Sequence, residues 1–205
     1  MPITIDRLHD DIRSSLRKYN SAFVSPVDID IAANKAQHDV LDRIILEYES
    51  GQERSSADQG LLLLHPFSGA ATERALPSNL YKISTVFDGD YEGDILDDRH
   101  FNDRLKSFII PPSSTRPIAT VFNDGAAKIR IEPSSTTHKI EYWKMPTDVK
   151  YNFTVVDGDI VFSLAGSVNF EFPMSEYTRI LNRTLFYLGM PSVNSDAANL
   201  EKQAQ

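Results

Sequence analysis

Residues 169–189 read NFEFPMSEYTRILNRTLFYLG, and the reading of the fold starts there. Asn169 to Phe172 is extended in texture, and Pro173 stops it, because proline has no N–H to give a ladder. A helix opens at Ser175 and carries Ile180, Leu181, Leu185, Tyr187 and Leu188 as an apolar stripe. Gly189 closes it, since glycine accepts the left-handed conformation that ends a helix. A helix that follows the last strand so directly must pack back on something, and the first fifty residues offer it a partner.

Working outward to the other end, Leu8, Ile12, Leu16 and Tyr19 recur at helical spacing, which predicts an amphipathic helix over 4–19. Ser25-Pro26-Val27-Asp28 then supplies an N-cap serine, a proline at the first helical position and an acid in the first turn. Ile31, Ala32, Val40, Leu41, Ile44, Ile45 and Tyr48 carry that second helix to about Ser50, where Gly51 ends it. The polar, aperiodic residues 51–60 predict a loop.

Between the two ends the period changes from helical to alternating. Leu61 to Leu64 is a buried strand or a short helical turn, and Leu76 to Ile83 reads as entry into a strand that continues through Val86 and Phe87. Asp88 to Gly93 is a turn cluster. Asp97 caps a short helix through about Lys106, with Phe101 and Leu105 expected to be buried. Strands follow at 118–122, 128–132 and 139–144, the first two joined by the hairpin signal Asn123-Asp124-Gly125. Tyr151 to Val156 and Ile160 to Leu164 flank a second one, Asp157-Gly158. The expected fold class is therefore α+β: a helical bundle from residues 1–50 and 173–190, around an inserted antiparallel β domain over 61–172 with one short helix near 97–107. Residues 191–205, small and polar, form an expected flexible C-terminal tail.

Composition excludes several function classes. A net charge of −8 and a pI near 5.1 argue against a protein that coats nucleic acid, which needs Lys and Arg to neutralise phosphates. The absence of cysteine removes disulfides and thiolate metal sites. The start, Met1-Pro2-Ile3-Thr4, lacks a basic stretch before an apolar run, so no signal peptide is expected. The longest aliphatic run, Leu61 to Leu64, is too short to span a bilayer, and the chain is expected to be soluble and made inside the cell.

The motifs that carry chemistry are few. Asp88-Gly89-Asp90-Tyr91-Glu92-Gly93-Asp94-Ile95 has the alternating acids of a calcium loop, but its twelfth position is Arg99 and a strand precedes it; a solvated turn is expected. His9, His38, His65, His100 and His138 are scattered, with no pair at zinc-site spacing. Trp143 is expected in the core of the β region. Arg74, Arg99, Arg104, Arg116 and Arg130 read as solvated surface, or as reciprocal charge pairing between neighbouring subunits. No nucleophile elbow, phosphate loop or dinucleotide fingerprint is present. No catalytic, cofactor-binding or metal-ligating residue is singled out, no cofactor is expected, and the chain is read as a non-enzyme.

The order of elements resembles the head-to-tail adaptor (connector, ring or collar) proteins of tailed bacteriophages, including crAss-like phage ring proteins and tail tubular collar proteins. The resemblance rests on the opening pair of helices, FNDRLKSFIIPP at Phe101–Pro112, and Arg116-Pro117-Ile118-Ala119. It continues through Lys128–Pro133, Lys139–Pro146 and the passage Val168–Gly189. It implies a structural virion protein at the head–tail junction, assembled in the host cytoplasm into a homo-oligomeric ring of about twelve copies. Its partners would be the portal protein above and neighbouring tail or ring proteins, with no membrane. Genomic DNA would pass through the channel without specific binding, and an acidic lumen would let it slide. The alternatives are another virion module (a tail terminator, or a carbohydrate-binding or scaffold domain) and a small hydrolase.

Overall fold

The computed structural model describes residues 3–18, 24–51, 58–157 and 159–190. The chain divides into two compact units, one of residues 1–61 and 146–205, the other of residues 62–145.

The 62–145 unit holds β1 (Leu62–Pro66), β2 (Glu73–Ala75), β3 (Leu80–Asp88), β4 (Tyr91–Ile95), β5 (Ile118–Asn123), β6 (Ala127–Glu132) and β7 (His138–Lys144). They form one curled sheet in the order β1-β7-β3-β4-β5-β6-β2. The hairpins β3–β4 and β5–β6 are local, but β1 pairs with β7 from Leu62↔Trp143 to Pro66↔Lys139, and β2 pairs with β6. β4 and β5 run parallel, with Asp94 opposite Ile118 and Ile95 opposite Ala119. Parallel neighbours need a long crossover, usually helical. Here it is an eight-residue helix (Asp98–Leu105) followed by a proline-rich loop. The parallel junction is tight: a Cβ on Gly93 would lie 2.5 Å from the Pro117 carbonyl oxygen, so only glycine fits. Phe67, Val86, Ala119, Ile129, Ile131, Ile140 and Tyr142 make the core of this sheet, and Trp143 is buried beside them in sequence, as expected.

The other unit contains α1 (Ile5–Lys18), α2 (Pro26–Glu49) and α3 (Asp58–Leu61); the crossover helix of the sheet is α4 and the closing helix is α5 (Tyr177–Tyr187). Ser25 caps α2, its Oγ accepting from the Asp28 N–H at 3.1 Å, as the sequence predicts. α1 buries Ile5, Leu8, Ile12 and Leu16, and α5 buries Tyr177, Ile180, Thr184 and Leu185. α5 packs along α2 and touches α1. A two-stranded ribbon, β8 (Phe153–Val156) with β9 (Asp159–Phe162), belongs to this unit.

These observations overturn the expected fold class. The chain is a mixed α/β protein whose core is dominated by a large curled seven-stranded sheet, a half-barrel, and not a helical bundle with a small inserted antiparallel β domain. Local periodicity predicts elements, whereas a sheet is decided by which strands pair across long sequence separations. Smaller corrections have the same origin. Asn169–Phe172 is no strand, although Phe170 N–H donates to the Ile3 carbonyl at 3.2 Å and Ile3 N–H to that of Phe172. The acidic run 88–95 is a β-hairpin rather than a turn alone. Leu105 is 40% exposed where Phe101 is 1%. Leu61 ends α3, and the strand starts at Leu62. Of the loop expected at 51–60, residues 58–60 are helical in α3 and residues 52–57 lie outside the described residues, as do Tyr19 and the tail expected at 191–205.

Candidate assembly surfaces

The histidines come together nowhere. His38 lies half-buried on α2, His65 is half-buried on β1 with its ring edge-on to Phe67, and His100 is exposed on α4, where its Nδ1 sits 2.7 Å from the capping carboxylate of Asp97. His9 is fully buried, its Nε2 2.9 Å from Asp30 Oδ1 and its ring stacked on Tyr151 at 4.0 Å. Asp30 Oδ2 also accepts from the Tyr151 N–H at 2.9 Å. This pair has the chemistry of a catalytic dyad and no access for a substrate; it ties α1, α2 and the 151 segment together. Among the described residues no group of three His, Cys, Asp or Glu side chains is placed to hold a metal ion.

The sheet unit has a buried polar cluster of its own. Arg74, read from sequence as solvated surface, is 6% exposed. Its Nη1 donates to the Ser68 carbonyl at 2.9 Å, and its Nη2 to those of Gly69 at 2.7 Å and Ser135 at 2.8 Å. Nearby, Asp88 accepts from Ser135 Oγ at 2.7 Å and from Thr137 Oγ1. Burial pushes the Asp88 carboxyl up, but these two bonds and neighbouring His138 outweigh it and hold it below the usual range. Burial pushes the His138 imidazole down from its usual 6.5; Asp88 opposes this and Arg74 adds to it. A histidine kept neutral in the fold takes up a proton more readily once unfolded. Its contribution is therefore intact above pH 6.5 and is lost as pH falls from there toward its folded value. Asp88 adds a further loss as pH falls through its own depressed value. Stability followed by Trp143 fluorescence should decline from pH 6.5 downward, and His138→Gln should flatten the upper part of that decline; an unchanged slope in the variant would sink the assignment.

The other arginines fit the surface reading. Arg99 and Arg116 are exposed, Arg104 reaches Asp94 at 3.7 Å, and Arg130 pairs with Glu73 across the β6–β2 ladder.

What stands out is apolar surface left in water. In the crossover after α4, Phe108 is 101% exposed and Ile109 90%, followed by Ile110 and Pro111. The tip is held: Ser107 N–H donates to the Arg104 carbonyl at 3.1 Å, and Ile110 N–H to Ser107 Oγ at 3.1 Å. A mutual pair of backbone bonds between Ser113 and Arg116 closes its far side. In the other unit, Val155, Val156, Val161 and Leu164 are exposed on and beside the β8–β9 ribbon. There too a groove of about 710 Å³ runs between α2 and α5, with Val40, Leu46 and Phe186 as its apolar lining. Its rim carries the pairs Asp39–Arg183 at 2.6 Å and Glu47–Arg179 at 3.0 Å. Sequence analysis used FIIPP at 108–112 only as part of the resemblance and assigned it no exposure; its outward placement follows from the crossover. No protein-family model matches the chain, and no curated sequence is significantly similar to it.

Proposed function

We propose that this chain is a structural virion protein, a head-to-tail adaptor that forms a ring beneath the portal and lines the DNA exit channel. The observation that carries the reading is the Phe108–Ile109 finger: two large apolar side chains held in water on an ordered loop. Apolar surface returns about 25 cal/mol per Å² when a neighbour covers it. Exposed apolar projections of this kind mark surfaces made for association. The ribbon residues Val155, Val156 and Val161 offer a second such surface. The adaptor identity comes from the resemblance over Phe101–Gly189 and from the charge of −8, which suits a channel that DNA slides through. It draws nothing from a helical bundle, which the fold does not form. The role is structural rather than enzymatic: the buried His9–Asp30 pair is tied up in packing. The partners are the portal, neighbouring tail or ring proteins, and the genome in transit. Its place is the head–tail junction of the virion, after assembly in the host cytoplasm.

Native mass spectrometry and negative-stain microscopy of the protein mixed with the portal protein of the same genome, which the adaptor reading requires, provide the test. A closed ring on the portal is expected; a chain that stays monomeric with that portal present ends the adaptor reading.

A further inference from the structure

We infer that the Phe108–Ile109 finger of one copy enters the α2–α5 groove of another copy, so that the contact between copies is heterologous. The inference deepens the adaptor reading and rests on it in taking the assembly to be homo-oligomeric.

Knob and hole lie in different units of one chain. The finger belongs to the 62–145 unit, and the groove is formed by α2 and α5 of the other. A contact between unlike patches leaves each copy with one knob and one hole free, and such contacts close into rings when the rotation allows it. The groove suits the finger chemically. Val40 is buried at its base, while Leu46 is 65% exposed and Phe186 60%, large apolar side chains with open faces. Its 710 Å³ falls within the range of pockets that enclose whole small ligands, ample for one phenylalanine and one isoleucine side chain. A second hollow beside His65, Phe67 and Arg74 is smaller, at about 340 Å³.

Charge divides along the same line. Residues 1–61 and 146–205 carry eighteen acidic and eleven basic side chains, a net −7, whereas residues 62–145 carry eleven and ten, a net −1. The finger is the basic part of the sheet unit: from Arg104 to Asn123 there are Arg104, Lys106 and Arg116 and no Asp or Glu. A basic, apolar-tipped finger is therefore steered toward the acidic unit of another copy and away from a second sheet unit. The groove's own lining mixes Asp39 and Asp42 with Arg43, Arg179 and Arg183, so the attraction comes from the net charge of the whole unit and the groove itself supplies apolar contact.

Size sets how the contact behaves. A buried phenylalanine covers about 150–250 Å², well short of the roughly 800 Å² per partner of a stable pair. One finger in one groove is a hot spot within a weak contact, made effective by repetition around a ring. Assembly should therefore need high concentration or the portal as template.

The chain has no cysteine, which makes cross-linking clean. Ile109→Cys and Leu46→Cys, both at exposed positions, are prepared as separate variants, mixed at high protein concentration with and without the portal, and oxidised. A disulfide-linked dimer containing one of each is expected. The double variant should give a ladder of linked copies, and adding Phe108→Asp to the Ile109→Cys chain should lower the yield by about thirtyfold, as loss of one hot-spot aromatic implies. Phe108→Tyr should leave it nearly unchanged. A mixture that yields only linked pairs of like variants, or none, overturns the inference, and if rings still form on the portal the adaptor reading survives that failure. Phe108→Asp that abolishes portal binding while copies still associate assigns the finger to the portal and overturns it as well. Mixed cross-links without any ring on the portal uphold the contact and sink the adaptor reading.

Discussion

Arg74→Ala is expected to lower the stability of the sheet unit by about 3 kcal/mol, a large share of the 5–15 kcal/mol that holds a domain folded. The guanidinium is buried and, among the described residues, no carboxylate partners it; its charge is spread over the carbonyls of Ser68, Gly69 and Ser135. Those carbonyls lie in the turn from β1 to β2 and the turn from β6 to β7. β1 and β2 are the two edges of the sheet, so one side chain ties the turn that joins the edges to a turn between inner strands. Its cation also lies 5.3 Å from the centre of the Phe67 ring, which alanine would leave uncovered. Hydrogen bonds from a charged donor are worth about 1.5–3 kcal/mol each. Release of the desolvation cost of the buried charge, which already pulls the Arg74 pKa down, offsets part of the loss. Water reaching Ser68 and Gly69, both exposed, offsets more. Arg74→Lys should recover less than half, because an ammonium cannot present the planar fork that reaches three acceptors. Trp143 lies in the same sheet and is the chain's one tryptophan, so urea unfolding followed by its fluorescence reads the effect. A midpoint within about 0.5 kcal/mol of the parent, the range of an ordinary surface substitution, would contradict it.

The second large effect is at Asp30, where alanine is expected to cost about 2–4 kcal/mol. Both carboxylate oxygens are used, one by the buried His9 Nε2 and one by the Tyr151 N–H. Truncation leaves a fully buried ring nitrogen and a backbone donor without partners, and such groups lose their hydration with nothing in return. The stack of His9 on Tyr151, 9° from parallel, loses the hydrogen bond that fixes the ring. Asp30→Asn keeps one acceptor for the Tyr151 N–H but can only donate to Nε2. That moves the histidine proton to Nδ1, which is buried without a partner, so asparagine should recover about half of the loss. Thermal unfolding followed by helical circular dichroism measures the difference. Equal stability of Asp30→Ala and the parent protein would show that the pair contributes nothing to the fold.

The assembly reading and these two stability predictions depend on different parts of the chain. Arg74 and Asp30 hold the interiors of their own units, whereas Phe108, Ile109, Leu46 and Phe186 lie on the outside. Substitutions at the finger should therefore change association and leave unfolding almost unmoved. A finger variant that also unfolds early would mean that the exposed side chains contribute to the fold, contrary to their exposure.

Elements with strong local signals were legible in the chain before any fold was known. Ser25 and Pro26 specify where α2 begins, Asp97 specifies the start of α4, and Asn123-Asp124-Gly125 specifies the β5–β6 hairpin, because caps and turns act over three or four residues. Burial of Trp143 was legible from its residue type, since a lone tryptophan in a small β region serves as a core anchor, although in β7 it follows buried Tyr142 and so departs from strict alternation. Tertiary structure alone decided the sheet order, the parallel β4–β5 pair, the burial of Arg74 and the outward finger. Each depends on partners remote in sequence: β1 meets β7, Gly93 meets Pro117, and Arg74 finds its carbonyls across two turns. Periodicity records which face of an element is apolar. What covers that face is set by long-range packing, and for Phe108 and Ile109 nothing among the described residues covers it.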